Sequence, residues 1–153
     1  MRRNIEKGFT LFELLLVMAI LGILSTVLVV VINPGRQLAK ARDVQRETDL
    51  IAILGAVYQY TSEHSGELPD TDGDPLTSNF PTSLTCIGTD LSCFDLSSAG
   101  ETGETIIPEY MGEMPTDPKG GDSDDTGYLI MVDANDRLFA SASGETRTVT
   151  VTK

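Results

Sequence analysis

The sequence predicts an α+β protein: a long N-terminal helix, its first half transmembrane and kinked near Pro34, packs on a small three-stranded antiparallel sheet at the C-terminal end. An unbroken apolar run predicts the first half of the helix, and apolar residues at helical spacing predict the second. Three short segments rich in β-branched and aromatic residues predict the sheet. We divide the chain into residues 1–8, a first helix at 9–32, an amphipathic helix at 33–64 and a head at 65–153 that begins with a long loop containing both cysteines.

The charge balance and the scarcity of metal ligands limit the functions of this chain. Its 153 residues carry 11 Lys and Arg against 23 Asp and Glu, a net charge of −12. Residues 60–153 hold 18 of the acids and only 4 basic residues, which argues against direct binding of nucleic acid. One histidine and two cysteines are too few for the usual four-ligand zinc site.

The apolar run at residues 9–32 has the length of a membrane span. Its 24 residues carry a single charge, at Glu13, and as a helix they would extend about 36 Å, against a hydrocarbon core of about 30 Å. A cleaved secretory signal is a poor alternative, because the run is too long and no small-x-small cleavage site follows it. An ordinary anchor leaves Glu13 unexplained, since a carboxylate inside an apolar span is costly.

The eight residues at 8–15, GFTLFELL, resemble the processing and methylation motif of type IV pilins and type II secretion pseudopilins. The resemblance implies that residues 1–8 are a leader, that prepilin peptidase cuts after Gly8 and that Phe9 is then N-methylated. It also implies that Glu13 meets the N-terminal amine of a neighbouring subunit during assembly. The alternative for Glu13 is a side chain that merely reaches the membrane interface.

The same resemblance implies the partners and the location of the chain. Members form homo-oligomeric filaments with the help of the peptidase, a methyltransferase and an inner-membrane assembly platform. They keep the leader in the cytoplasm and the C-terminal head outside, first as single-pass membrane proteins and then in a surface pilus or a periplasmic pseudopilus. The basic residues on both sides of the span do not decide this orientation by themselves.

The second helical segment begins at a break and is amphipathic. Pro34 and its neighbour Gly35 predict a kink or a short unwinding. An apolar stripe then follows at Leu38, Ala41, Val44, Ile51, Leu54, Val57 and Tyr58. The charged residues of the other face are expected to be solvated: Lys40, Arg42, Asp43, Arg46, Glu47 and Asp49.

The loop at residues 65–125 is expected to contain one or two short helices or a turn of strand, because a long unstructured connection is unusual. An even cysteine count in an exported domain favours a disulfide between Cys86 and Cys93, and a free pair is the alternative. Such a bond would stabilise the fold by roughly 2.5 kcal/mol.

Two acidic clusters in this loop offer oxygen ligands. We expect Asp70, Asp72 and Asp74 to form a solvated turn, because the spacing of their segment does not fit an EF-hand. The segment 114–128 resembles the one that precedes the sheet of major pseudopilins, some of which bind calcium there. The candidate calcium ligands are Asp117, Asp122, Asp124 and Asp125, and a solvated acidic loop is the alternative.

Three strands are predicted at residues 128–132, 137–142 and 146–152. One face of this sheet needs a cover, and the stripe formed by Leu54, Val57 and Tyr58 is the nearest candidate. Val149 and Val151 should point towards the helix and the intervening threonines away from it.

The function predicted from these features is that of a structural subunit of a type IV pilus-like filament, which would serve adhesion, motility or DNA uptake. The alternative is a pseudopilin of a type II secretion system. A membrane-anchored domain that does not polymerise and a tip adhesin are less favoured. The chain is not expected to be an enzyme, because His64 is the only histidine and such a residue at a helix end is usually structural.

Overall fold

The computed structural model describes residues 8–73 and 77–153, and the side chains of residues 29–32 are not described. Apart from Gly8, the leader predicted at residues 1–8 lies outside the described residues, as does Asp74 of the first acidic cluster. The chain forms two compact units, one up to Leu38 and one from Ala39 onward.

The first helix, α1, spans Leu11–Ile32 and is apolar on all sides. Its window Leu11–Leu28 is long and apolar enough to cross a membrane, and none of this window is buried. The helix ends at Asn33, which adopts a left-handed conformation with φ of 47°. The predicted break near Pro34 is therefore confirmed: the helical hydrogen bonding of α1 stops at the residue before the proline.

The second helix, α2, spans Pro34–Glu63 and begins with the proline, whose missing N–H costs nothing in a first helical turn. The stripe predicted for it is confirmed at Leu54 and Val57, which are fully buried. It was wrong at four other positions that are more than half exposed: Leu38, Val44, Ile51 and Tyr58. Apolar residues surround the helix between positions 50 and 58, so their spacing fits more than one face. The buried residues are Asp43, Arg46, Leu50, Ile53, Leu54, Ala56, Val57 and Tyr60.

The sheet has four antiparallel strands rather than three. Its strands are β1 (Thr85–Cys86), β4 (Tyr128–Val132), β5 (Leu138–Ala142) and β6 (Val149–Thr152), in the order β1-β4-β5-β6. The three predicted strands are present, and the two-residue β1 adds a fourth on the outer edge of β4, with Thr85 opposite Ile130. A strand of two residues has no periodic pattern from which it could have been predicted.

The connection between α2 and β4 contains the expected short elements. Cys86 and Cys93 form a disulfide. A small hairpin follows, made of β2 (Gly100–Glu101) and β3 (Glu104–Thr105), and the chain then makes a single turn at Ile106–Tyr110. These elements pack under the end of α2, where Ile106 and Leu96 are fully buried.

The core of the second unit lies between the buried face of α2, the sheet and the long connection. Val149 is 2% exposed and Val151 partly buried, whereas Thr150 and Thr152 are exposed, as predicted for β6. The fully buried apolar residues include Leu50, Ile53, Leu54, Val57, Leu96, Ala99, Ile106, Tyr128, Ile130 and Ala140. The head therefore folds as a helix on a sheet with a single apolar interior.

Candidate functional site

Gly8 and Phe9 lie just before α1, in a segment without regular structure. Phe9 is 82% exposed. A Cβ atom added at Gly8 would contact no atom within 4 Å. The described part of the fold therefore makes no steric demand for glycine at position 8.

Glu13 is held at the start of α1 by Thr10. The carboxylate oxygen Oε2 of Glu13 accepts hydrogen bonds of 2.9 Å from both the backbone N–H and the hydroxyl of Thr10. In return, the backbone N–H of Glu13 donates to Thr10 Oγ1 at 3.2 Å. This reciprocal arrangement is a capping box, which satisfies two backbone donors that a helix start leaves unpaired.

The role of Thr10 was missed in the sequence, although the T-x-x-E spacing from Thr10 to Glu13 is the sequence signature of a capping box. The negative charge at this position is favourable for α1, because the N-terminus of a helix carries partial positive charge. Two apolar residues, Leu11 and Phe12, separate the two polar ones and are 81% and 73% exposed. Glu13 is thus a hydrogen-bond acceptor in the first turn of an apolar helix, close in sequence to Phe9 and Thr10.

In the second unit, charged side chains meet in a group that we call the Arg46 cluster: Arg42, Asp43, Arg46, Asp117, Lys119 and Glu145. Arg46 is 1% exposed and Asp43 is 2% exposed, so the expectation that both would be solvated was wrong. The Arg46 guanidinium donates a hydrogen bond to Asp43 Oδ1 at 2.8 Å, and it donates to both carboxylate oxygens of Asp117. A buried charge is tolerated only with such partners.

Backbone groups of the β5–β6 loop complete the surroundings of Asp43. The N–H of Glu145 and the N–H of Thr146 each donate to its carboxylate at 2.8 Å. The loop approaches so closely at Gly144 that a Cβ atom there would lie 2.8 Å from Asp43 Oδ1 and 2.0 Å from the carbonyl oxygen of Arg147. A side chain at position 144 would therefore push the loop away from α2.

Glu145 lies on the outer side of the Arg46 cluster, between Arg42 and Lys119. The Arg42 guanidinium donates to both of its oxygens, and Lys119 Nζ donates to Oε2 at 3.1 Å. The cluster therefore joins α2, the segment after Met114 and the β5–β6 loop, three parts of the chain that are distant in sequence.

These contacts favour the ionised carboxylates. The hydrogen bond from the Thr146 hydroxyl holds the pKa of Asp43 well below its ordinary value. The hydrogen bond from Arg46 lowers the pKa of Asp117, and that from Arg42 lowers the pKa of Glu145 to about 2. The bond to Asp117 in turn raises the pKa of Arg46.

We expect the head to lose stability in acid because of this cluster. A carboxyl group whose pKa is lower in the folded than in the unfolded state stabilises the fold above its unfolded pKa, and this contribution is lost as the pH falls through its folded pKa. For Glu145 this window runs from about pH 4.5 to about pH 2. Denaturant titrations across this range should give a steep fall in the free energy of unfolding. Glu145→Gln should flatten it, whereas Glu109→Gln, at an exposed acid outside the cluster, should not; equal slopes for both variants would contradict the assignment.

The four predicted calcium ligands do not point into one site. Asp117 is occupied by Arg46, and Asp122 Oδ1 accepts from the backbone N–H groups of Asp124 and Asp125 at 3.0 Å. Within residues 8–73 and 77–153, no three His, Cys, Asp or Glu side chains are grouped so as to hold a metal ion. As arranged, these residues do not fit a calcium site, and calcium binding stays a prediction from the sequence.

His64 lies directly after α2 and contacts groups of the fold. Its Nδ1 is 2.9 Å from the carbonyl oxygen of Tyr60, and its ring stacks on that of Tyr60 with 3.9 Å between centroids. Nε2 lies 3.3 Å from Oε2 of Glu104, on β3. His64 therefore has a structural role: its contacts link the β2–β3 hairpin to the end of α2.

Comparison with known proteins gives one match, and this match falls on the N-terminal site. Residues 3–29 match the prokaryotic N-terminal methylation motif. Neither the curated proteins nor the solved structures compared with the chain include a match. The matched residues include Gly8, Phe9, Thr10 and Glu13, together with most of the exposed apolar helix. The chain therefore carries the prepilin-type methylation motif that is characteristic of type IV pilins and pseudopilins.

Proposed function

We propose that this protein is a structural subunit of a type IV pilus-like filament, cleaved by prepilin peptidase after Gly8, methylated on Phe9 and assembled through α1. The observation that carries the proposal is the coincidence of the methylation motif with a helix whose apolar window Leu11–Leu28 has no buried residue. Such a surface is stable in lipid, and outside lipid it must be covered by other apolar surface. Copies of the same helix supply that surface, and head-to-tail contacts that do not close produce a fibre.

Glu13 is the second element of the proposal. Cleavage after Gly8 would create an α-amine on Phe9, whose C-terminal neighbour Thr10 already donates to the Glu13 carboxylate. An ammonium group and a carboxylate in a dry helix bundle each remove the other's desolvation cost. We infer that the Phe9 amine of one copy pairs with Glu13 of another as the subunit leaves the membrane.

An exposed apolar stripe on α2 supports further packing between helices. Val44, Ile51 and Tyr58 follow one another at seven-residue spacing and are 58%, 53% and 53% exposed. Small or short side chains stand between them, at Thr48 and Gly55. Residues seven apart lie near one side of a helix, so these three side chains offer exposed apolar area to a second helix.

The second candidate function is that of a pseudopilin in a type II secretion system. It is favoured by the Pro115, Asp117 and Pro118 pattern ahead of β4, whereas the disulfide between Cys86 and Cys93 favours a pilin. The two functions differ in the location of the fibre, which is the cell surface for a pilus and the periplasm for a pseudopilus. Filaments sheared from the cell surface support the pilin, and a requirement for protein export without surface filaments supports the pseudopilin.

The test of the proposal is intact-mass and N-terminal analysis of the protein recovered from sheared surface filaments. We expect a chain that begins at methylated Phe9. A chain that still begins at Met1, or a protein found only in the membrane, would contradict the filament assignment and leave an anchored acidic domain. A deletion that leaves the mass of filaments unchanged would instead point to a tip adhesin.

The role proposed for the Glu13 charge in filament assembly can be separated from the role of Glu13 as a helix cap. Glutamine at the same position keeps the hydrogen bonds of a capping box but carries no charge, whereas alanine loses both. We expect Glu13→Gln and Glu13→Ala to lower incorporation into filaments equally, by at least about tenfold, because an unpaired buried ammonium costs several kcal/mol.

The control for this experiment is Glu109→Ala, which removes an exposed acid of the head and should assemble normally. Processing after Gly8 should continue in every one of these variants, since the segment before α1 is unchanged. Normal assembly of Glu13→Gln together with failure of Glu13→Ala would show that the cap, and not the ion pair, is what assembly needs.

A further inference from the structure

Two basic side chains of α2, Arg36 and Lys40, differ from the other basic residues of the described chain in what surrounds their charged groups. Five of the eight Lys and Arg side chains within residues 8–73 and 77–153 form salt bridges: Arg42, Arg46, Lys119, Arg137 and Arg147. The ammonium of Lys153 lies 5.0 Å from the centre of the Tyr58 ring. Among these described residues, only Arg36 and Lys40 are exposed and have neither a carboxylate nor an aromatic ring as partner.

The missing partners are notable because the chain has a large excess of acids. The whole chain has a net charge of −12, and five of the eight described cations have a carboxylate partner, whereas Arg36 and Lys40 have neither a carboxylate nor an aromatic ring. Both side chains are long hydrogen-bond donors without an acceptor function, and each can pair with an anion. Both are therefore available to an anion from outside the described chain.

The position of the two residues along the chain indicates which anion they meet. Arg36 follows the last residue of α1, Ile32, by four residues, so its Cα lies within about 14 Å of the end of the apolar helix, in whatever direction the chain continues. Lipid head groups add roughly 5–8 Å to each side of the hydrocarbon core. Lys40 follows Arg36 by four residues within α2, so the two side chains lie on one face of that helix, and both have long flexible stems.

We propose that Arg36 and Lys40 bind the phosphate groups of anionic phospholipids in the leaflet where α1 ends. The guanidinium of Arg36 suits a bidentate contact with phosphate, and Lys40 adds a second point charge one turn away. The pair ties the subunit to the membrane before assembly, and its contacts must break when the helix is extracted. This proposal rests on the membrane span of α1 and not on polymerisation, so it can fail or succeed independently of the filament assignment.

The experiment uses the full chain in vesicles, where it is not assembled. The sequence contains no tryptophan, so Leu38→Trp gives a single donor next to both basic residues. Energy transfer is measured from this tryptophan to a trace of dansyl-labelled phosphatidylglycerol, and separately to dansyl-labelled phosphatidylcholine, in phosphatidylcholine vesicles. The ratio of the two transfer efficiencies reports how strongly anionic lipid is enriched around Arg36 and Lys40.

We expect an enrichment of roughly fivefold or more for the anionic lipid, which follows from the attraction of each basic residue to an anionic surface. Arg36→Gln combined with Lys40→Gln should bring the ratio to about one, and salt at about 0.5 M should do the same. The matched control is Arg137→Gln with Arg147→Gln, which removes the same charge from two exposed residues that have carboxylate partners and should keep the enrichment.

Three outcomes would overturn the proposal. The first is an equal ratio in the double variant and the parent. The second is loss of enrichment when inorganic phosphate replaces chloride at constant ionic strength, which would identify free phosphate as the ligand. The third is an unchanged lipid ratio together with a loss of filaments in the double variant, which would show that the pair meets carboxylates of another copy.

Discussion

Replacement of Gly8 with valine is expected to block processing, so that the chain keeps residues 1–8 and never appears in filaments. A Cβ atom at position 8 meets no atom within 4 Å in the described fold, so the substitution introduces no clash there. In the cleft of a protease, however, a branched side chain displaces the scissile bond, and a displacement of about 1 Å can lower a reaction rate about a hundredfold. Glycine also leaves the chain free to lie extended before the helix begins.

The measurement is the intact mass of the membrane fraction after a pulse of synthesis, which separates the full chain from one that begins at Phe9. Gly22→Ala is the matched control, because Gly22 lies inside α1 and its added Cβ likewise meets no atom within 4 Å. It should be processed at the normal rate. Normal cleavage of Gly8→Val would contradict the processing site and, with it, the role proposed for Phe9.

The elements that could be predicted from the sequence are those governed by local patterns. The break at Pro34 follows from the missing N–H of proline, and the alternation of valine and threonine in β6 follows from the two-residue period of a strand. The methylation motif could be recognised because its residues lie in one short segment, and the roles of Gly8, Phe9 and Glu13 within it stay predictions. Thr10 could have been added from its spacing to Glu13.

The features that were not predicted depend on contacts between distant parts of the chain. Arg46 is in helical phase with Leu50, Ile53 and Val57, which is a signal that it faces the core. Because Arg46 is charged, it was nevertheless predicted to lie on the solvated side of α2. Its partner Asp117 lies 71 residues away, and no local pattern predicts that pairing. Likewise, the exposure of Tyr58 depends on which face of α2 the sheet covers.

The buried position of Arg46 leads to the largest change in stability that we expect. Arg46→Met keeps the length and the apolar stem of the side chain but leaves Asp43 and Asp117 without their cation. Removal of one partner from a buried ion pair costs about 3–5 kcal/mol, a large part of the roughly 5–15 kcal/mol that stabilises an ordinary domain. We expect denaturant unfolding of the full chain in detergent, followed by the circular dichroism of its buried tyrosines, to shift by this amount.

The matched control is Arg137→Met, which breaks an exposed pair with Asp133 and should cost no more than about 1 kcal/mol. A second variant separates lost charge from lost packing: Arg46→Met combined with Asp43→Asn and Asp117→Asn removes the unpaired carboxylates and should recover part of the loss. An Arg46→Met protein as stable as the control would mean that water reaches the cluster and solvates the two acids. In that case the ion pairs of Arg46 would add little to the stability of the head, and the share of the fall in acid that comes from Asp117, whose pKa Arg46 lowers, would disappear.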